Sequence, residues 1–583
     1  MCMVRSHPFN VATIHDGEPF FMSFTHFSDL TPQHPDMDAV QADYDKYADA
    51  ITNAQEPAAA LEAIGQWDET RKRLGSWSSL VRLRYRQDTT NKTYKADNDL
   101  CDEVWPKMVA LDNRIKQAVL DSPHRGAIAD HFGEHVQDLW TCDVAAFDPS
   151  IQDDMVKTSK LNNEYTSLRA KARIEFQGET HTLAGLGKFS LDDDRQVRYE
   201  ATKTTWDWFE ENGDALDEIF DGLVKTRHKM AKALSNKDFV ELGYRWMQRI
   251  DYGRKDVERF RKEVQTHLVP LTVELRRQQA QRLGLDEVMY WDEGIFDLGG
   301  APKLGGDTPW LVKQARDVFK KLGPETDHFF STMDDCGLLD LDAREGKASG
   351  GFCTAFPDKE VPFIFANFNG THGDVRTFIH ELGHAFQYWS SRKASISDYL
   401  WPTYESCEIH SMSLEFLTWP HMESFFGDDA ERFRQTHLTF ALLFIPYGVA
   451  VDHFQHMVYE NPDASPADRH AMWKEIEELY TPARKYGDIK RLNEGALWQR
   501  QLHIYGAPFY YIDYTLAQTC ALQFWSRSLT DPAGAMKDYT TLCKRGGDAP
   551  FQALARSAGL ISPFDQGCLA DVVDHAAKIL QSA

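Results

Sequence analysis

The chain has 583 residues, a formal charge of −25, 42% hydrophobic residues and 26% charged residues. That length can bury a sizeable core in more than one lobe, and the composition is ordinary for a globular protein. The acidic balance argues against nucleic-acid or anionic-membrane partners, which need basic patches; it fits solubility, or an acidic cleft for basic ligands.

Nine cysteines are scattered from Cys2 to Cys568 with no C-x-x-C pair. The odd count and the missing pairs point to a reducing compartment. The opening MCMVRSHPFN has no apolar signal core, so the expected location is the cytoplasm.

From about Asp36 to Asp121 the apolar residues recur at helical spacing, as in Val104, Met108, Leu111, Ile115 and Val119. The stretch from Ala172 to Leu186 predicts a short hairpin turning at Gln177-Gly178. Ser190 and the aspartates after it predict a helix start, with Ser190 as the cap. A lobe boundary is expected there, dividing an N-terminal helical lobe, 1–188, from the remainder, 189–583. After Gly299 comes a turn-rich loop, then a glycine-rich stretch, Gly346 to Phe356, and a strand from Pro362 to Phe368. Leu438 to Val451 is the strongest apolar run; it is short for a membrane span and contains Pro446, so it predicts a buried helix. The class is mainly α, with a small sheet in the later half.

Asp374 to Trp389 reads DVRTFIHELGHAFQYW. Val375, Phe378, Ile379, Leu382, Phe386 and Trp389 mark an amphipathic helix. On it His380 and His384, at i and i+4, project side by side and can hold one metal ion, with Glu381 beside it as a general base. Gly383 lowers helix stability by about 1 kcal/mol against alanine, which suits close approach of a neighbouring backbone or of substrate. A catalytic zinc site needs a third protein ligand. Gln387 and Ser390 stand where the extended motif has glycine and histidine, so the ligand lies elsewhere. The next helical segment, Tyr404 to Trp419, offers Glu405, Glu408, His410 and Glu415, and spacing alone leaves the choice open.

These two segments resemble the thimet oligopeptidase and oligoendopeptidase F family of zinc metallopeptidases. By that resemblance VRTFIHELGHAFQ is the first metal segment, Glu408 is the third ligand and Glu415 is the family's second acid, seven residues on. Glu405 or Glu415 would then accept hydrogen bonds from the ligand imidazoles. A third segment, WQRQLHIYGAPFYYIDYTLAQTCALQFW, resembles the family's substrate-binding stretch. His503, Tyr511 and Tyr514 match its histidine and tyrosine pair, whereas Tyr505 and Tyr510 are left without a role.

The resemblance implies a multi-lobed helical body with a deep substrate channel and a small β-sheet next to the zinc-binding helices. Residues 189–583 would be the metallopeptidase region. One zinc ion per chain would lower the pKa of its water from about 15.7 toward 7. Glu381 would take the water's proton and pass it to the leaving amine. The ion, His503, Tyr511 and Tyr514 would hold the oxyanion. Expected substrates are oligopeptides cut at internal bonds. The strand 362–368 could pair with an extended substrate, and 346–356 could be a mobile loop over the site. The rival readings are a metallocarboxypeptidase or dipeptidyl carboxypeptidase on a similar body, and a peptide-binding scaffold with a dead site. His372, His410, His453 and His456 are expected to be structural or surface residues.

Overall fold

The structure is a computed structural model describing residues 13–15, 18–20, 26–296 and 298–582; the segment MCMVRSHPFN lies outside them. After the strand pair Thr13–His15 and Glu18–Phe20 and a 3-10 turn, Phe27–Asp29, come three long helices: Met37–Thr52, Pro57–Gln87 and Lys92–Leu120. The Asp36 carboxylate accepts from the N–H groups of Asp38 and Ala39, and Asn91 does the same for Thr93 and Tyr94. Each cap satisfies donors that the first helical turn leaves open.

The stripe Val104, Met108, Leu111, Ile115 and Val119 is buried as its spacing predicts. It packs with Tyr44, Ile51, Ile64 and Trp67 into a core separate from the larger one. Ile396 and Tyr399, just beyond the histidine-bearing helix, complete that core. Arg71 adds a charged link, 2.7 Å from Asp398 and 2.5 Å from Asp68.

The hairpin forms at Ile174–Phe176 and Glu179–His181, with φ of 51° at Gln177 and 82° at Gly178. Two positive φ values match the turn that suits the twist of paired strands. The next helix, Arg195–Glu211, is capped by Asp194 rather than Ser190. Ser190 lies in a preceding 3-10 turn and donates to the Gly187 carbonyl, so its hydroxyl is already used.

Helices Gln152–Ala170, Gly213–Ala233 and Ala430–Glu460 enter the larger core. The last is long and apolar enough to cross a membrane by composition, yet 72% of its apolar window is buried in the protein.

The sheet near the site has three strands, in the order Leu339–Asp342, Val361–Phe368, Phe352–Phe356. Val361–Phe368 is therefore central, parallel to the first strand and antiparallel to the last. A strand covered on both sides and both faces reads as a continuous apolar run. The expected pairing of 362–368 with substrate is thus corrected: its hydrogen bonds are already taken, and the open edge belongs to Phe352–Phe356. The glycine-rich stretch is also pinned. Thr89 donates to the Gly346 carbonyl, Ala348 to Arg86, and Asn367 to the carbonyls of Ala348 and Gly350.

Candidate active site

The helices His372–Ser391 and Tyr404–Leu417 pack face to face. Gly383 makes this possible: a Cβ there would lie 2.6 Å from Ser411 Cα and 2.7 Å from the His410 carbonyl oxygen. The close crossing brings one of the four candidate ligands to the histidines. Glu408 Oε2 lies 3.2 Å from His380 Nε2 and 3.5 Å from His384 Nε2. All three donor atoms fall within 4.8 Å of one another. Ligands bound at ~2.0–2.1 Å in a tetrahedron stand ~3.4 Å apart, and the two distances from Glu408 to the imidazoles match that spacing.

Glu415 accepts from His380 Nδ1 at 2.8 Å and from His437 Nε2 at 2.9 Å. Trp419, which can only donate, gives its indole N–H to His437 Nδ1 at 3.0 Å. That network assigns the proton of His437 to Nε2 and leaves the Nε2 lone pair of His380 aimed at the ion position. Burial alone would raise the carboxyl of Glu408; the imidazoles of His384 and His380 outweigh it and hold the group well below its ordinary value. Glu415, likewise buried, is brought down to about 2 by His380 and His437. Buried ionised carboxylates against two imidazoles make a site suited to a cation.

Glu381 sits one position round the helix, 7% exposed. Its Oε2 is buried with no hydrogen-bond partner among the described residues. Burial, only partly offset by His380 and His384, raises its carboxyl above the usual range. An acceptor placed beside the ion position, with its carboxyl raised by burial, suits a general base.

His503, in the turn Leu502–Gly506, and the helix Tyr511–Ser528 close the other side. Rings of Tyr510, Tyr511 and Tyr514 lie 5.7, 5.1 and 5.8 Å from His503. Gln501 gives its amide N–H to His503 Nδ1 at 2.9 Å, which puts the imidazole proton on Nε2 as a free donor. Burial lowers the pKa of this histidine, favouring the neutral ring.

Tyr510, which the sequence left unassigned, touches the metal set: its hydroxyl donates to Glu408 Oε1 at 2.5 Å. The ring of Tyr514 lies tilted 4.9 Å from that of Tyr510, while Tyr511 turns toward Phe444 and Tyr447. Phe509 sets this arrangement with φ of 67°. Its N–H goes to Gln455 Oε1 at 2.9 Å, and its carbonyl accepts from Arg249 at 2.6 Å. Such a conformation in a bulky residue persists only where its surroundings over-determine it.

Other candidates have structural roles. Tyr505 is fully buried, stacked on Tyr165 and bonded to the Leu216 carbonyl. His410 Nδ1 donates to the Ser406 carbonyl, and His453 and His456 meet Tyr480 and Tyr244. Glu405 lies away from the imidazoles. Burial and the nearby Asp513 push its carboxyl up, against the opposing pull of Arg249. His437 was not anticipated: it stands on another helix, and no local spacing ties it to Glu415.

His380, Glu381, His503, Tyr511 and Tyr514 open into one cavity of about 1080 Å³ whose far wall includes Tyr290, Arg484 and Arg500. A helical body in which a histidine-pair helix packs directly on a glutamate helix, both lining one such cavity, has the arrangement of a metallopeptidase. The profile of the Peptidase M3 N-terminal domain matches residues 27–147, and that of Peptidase family M3 matches residues 327–573. A structure of PZ peptidase A with an inhibitor is 42% identical, covers 96% of this chain and 99% of its own, and superposes with a TM-score of 0.93. A structure provisionally described as oligoendopeptidase F is 44% identical at the same coverage and TM-score. Oligopeptidase PepF of Bacillus subtilis (strain 168) is 21% identical over 540 residues, 83% of this chain and 75% of its own length. The chain belongs to peptidase family M3 and is a metalloendopeptidase.

Proposed function

We propose that the protein is a zinc-dependent oligoendopeptidase that cuts internal bonds of short, unstructured peptides. The observation that carries this reading is the convergence of His380 Nε2, His384 Nε2 and Glu408 Oε2 beside the unpartnered Glu381 Oε2. Zinc held by those three residues would polarise the substrate carbonyl and lower the pKa of a water from about 15.7 toward 7. Glu381 Oε2 takes the proton of the attacking water and returns it to the departing amine. Nε2–H of His503 is free to donate to the oxygen that gains charge; the Tyr514 hydroxyl, hydrogen-bonded to Tyr510, stands beside it, with Tyr511 further along the same wall. Tyr510 holds Glu408 in orientation through its 2.5 Å hydrogen bond.

The open edge of Phe352–Phe356 gives an extended peptide its backbone partners. That edge begins beside the base: a Cβ on Gly351 would sit 3.6 Å from Glu381 Oε1. A cavity of about 1080 Å³ has room for a peptide segment and supports oligopeptide substrates. The relatives described as an oligopeptidase and a PZ peptidase support the same substrate class. The free cysteines support a cytoplasmic setting.

The test combines metal quantification with cleavage of an internally quenched peptide blocked at both ends. One zinc per chain with chelator-sensitive internal cleavage is expected. Cleavage only at free termini would replace the endopeptidase reading with an exopeptidase one.

A further inference from the structure

Resting on the oligopeptidase reading, we propose that Arg500 forms a carboxylate-binding subsite that captures an acidic group of the bound peptide a few residues from the cleaved bond. Arg500 ends the 3-10 turn Leu497–Arg500, three positions before His503, and lines the cavity that holds His380 and Glu381.

Its surroundings are unusual for this molecule. Aspartate and glutamate number 89 against 64 lysines and arginines, so carboxylates are abundant. Neighbouring arginines use them. Arg484 holds Glu293 at 2.8 and 3.0 Å, and Arg276 reaches the same carboxylate at 3.2 Å. Arg500 has no carboxylate within ion-pair reach among the described residues. Its guanidinium donates to the Tyr290 hydroxyl, and the other groups near it are Tyr447, Tyr511, the cation Arg484 and, beyond ion-pair distance, Glu293. Glu293 and Glu477 stand against Arg276, Arg484 and Arg500, so this wall carries one positive charge in excess. The acidic cleft for basic ligands allowed by the overall charge is not what this wall offers. Arg500 is exposed on the cavity wall, so its guanidinium is accessible, and a planar carboxylate can meet it with two parallel hydrogen bonds.

Location gives the register. From His503 to Tyr511 the ring step is 5.1 Å, and from Tyr511 to Tyr447, which Arg500 faces, it is 5.9 Å. Extended peptide advances ~3.3 Å per residue, so the subsite lies about three to four residues along the substrate from the oxyanion donors. Either the C-terminal carboxylate of a short product segment or an acidic side chain at that distance supplies the chemistry. Arg376, one turn before His380, also lines the cavity, but it lies flat on Phe440 at 4.5 Å and serves as the comparison.

The experiment uses full-length zinc-loaded enzyme and quenched peptides in matched pairs: free acid against amide at the C-terminus, and Glu against Gln two to five residues from the cleaved bond. Wild type is expected to favour one carboxylate-bearing peptide over its neutral twin at least tenfold in kcat/KM, through KM. Arg500→Gln should reduce that peptide to the level of its twin, Arg500→Lys should retain part of the preference, and Arg376→Gln should keep it. Preference within the acid–amide pairs identifies the C-terminus; preference within the Glu–Gln pairs identifies a side chain. Equal rates for every wild-type pair, an equal drop on both twins in Arg500→Gln, or loss of preference in Arg376→Gln overturns the proposal. If no peptide is cut although zinc is bound, the peptidase reading has failed; calorimetric binding of the same pairs to wild type and Arg500→Gln then decides the subsite by itself.

Discussion

Gly383→Ala tests the crossing of the two metal helices. The substitution favours the isolated helix by about 1 kcal/mol, because alanine is the better helix former. In the folded chain the new methyl meets Ser411 Cα at 2.6 Å and the His410 carbonyl at 2.7 Å, where ordinary contact begins near 3.4 Å. Both are backbone atoms, so no rotamer relieves the clash, and the helices must part by ~0.8 Å. Overpacking of this kind typically costs about 1–3 kcal/mol, which exceeds the helix gain. A metal site tolerates only ~0.2 Å of ligand displacement, and Glu408 sits on the helix that moves. The expected result is a lower melting temperature, zinc affinity weakened at least tenfold in chelator competition, and a parallel fall in kcat/KM at limiting zinc. Unchanged zinc affinity with raised stability would refute the reasoning, since helix propensity would then have won and the close approach would be unimportant.

Glu381→Gln should retain stoichiometric zinc while kcat falls by roughly 10³-fold or more, measured on a blocked quenched peptide. Glu415→Gln weakens the acceptor that orients His380, and zinc affinity should drop by about 10–100-fold with near-native circular dichroism; wild-type affinity would remove Glu415 from the site's support. Arg249→Met breaks a fully buried pair with Asp513 and releases the Phe509 carbonyl, so about 3–5 kcal/mol of stability should be lost in urea titrations. The Glu405 carboxyl is raised in the folded state, from 4.5 to about 8, by burial and by Asp513. The folded chain therefore binds more protons than the unfolded one in that window, and this contribution to stability, complete below pH 4.5, is lost as pH rises toward 8. Glu405→Gln should flatten the pH dependence of the urea midpoint between pH 5 and 8; an unaltered slope would show that Glu405 does not carry it.

Much of this was legible in local pattern. The stripe from Val104 to Val119, the hairpin at Gln177-Gly178 and the helix carrying His380 and His384 each rest on contacts within a few residues, and periodicity reports those directly. Elements whose partners are remote were read less well. The run Val361–Phe368 reads as a strand, but sequence does not say that it lies between two others. Ser190 has cap chemistry, yet the preceding 3-10 turn captured it and Asp194 took the role.

The amino-acid order alone determined that two imidazoles would project side by side from one helix, because a four-residue step returns to the same face whatever lies around it. It also offered Glu405, Glu408 and Glu415 on a single face, with nothing local to separate them. Tertiary structure made the choice. The approach at Gly383 sets where the second helix crosses, so that Glu408 meets both histidines, Glu415 lies behind His380 beside His437, and Glu405 lies near Arg249 and Asp513. The strained turn at Phe509 in the same way put Tyr510 on the metal carboxylate. Which donor reaches which atom depends on the angle and distance between packed helices, and those follow from the summed packing of the core rather than from the spacing within any one segment.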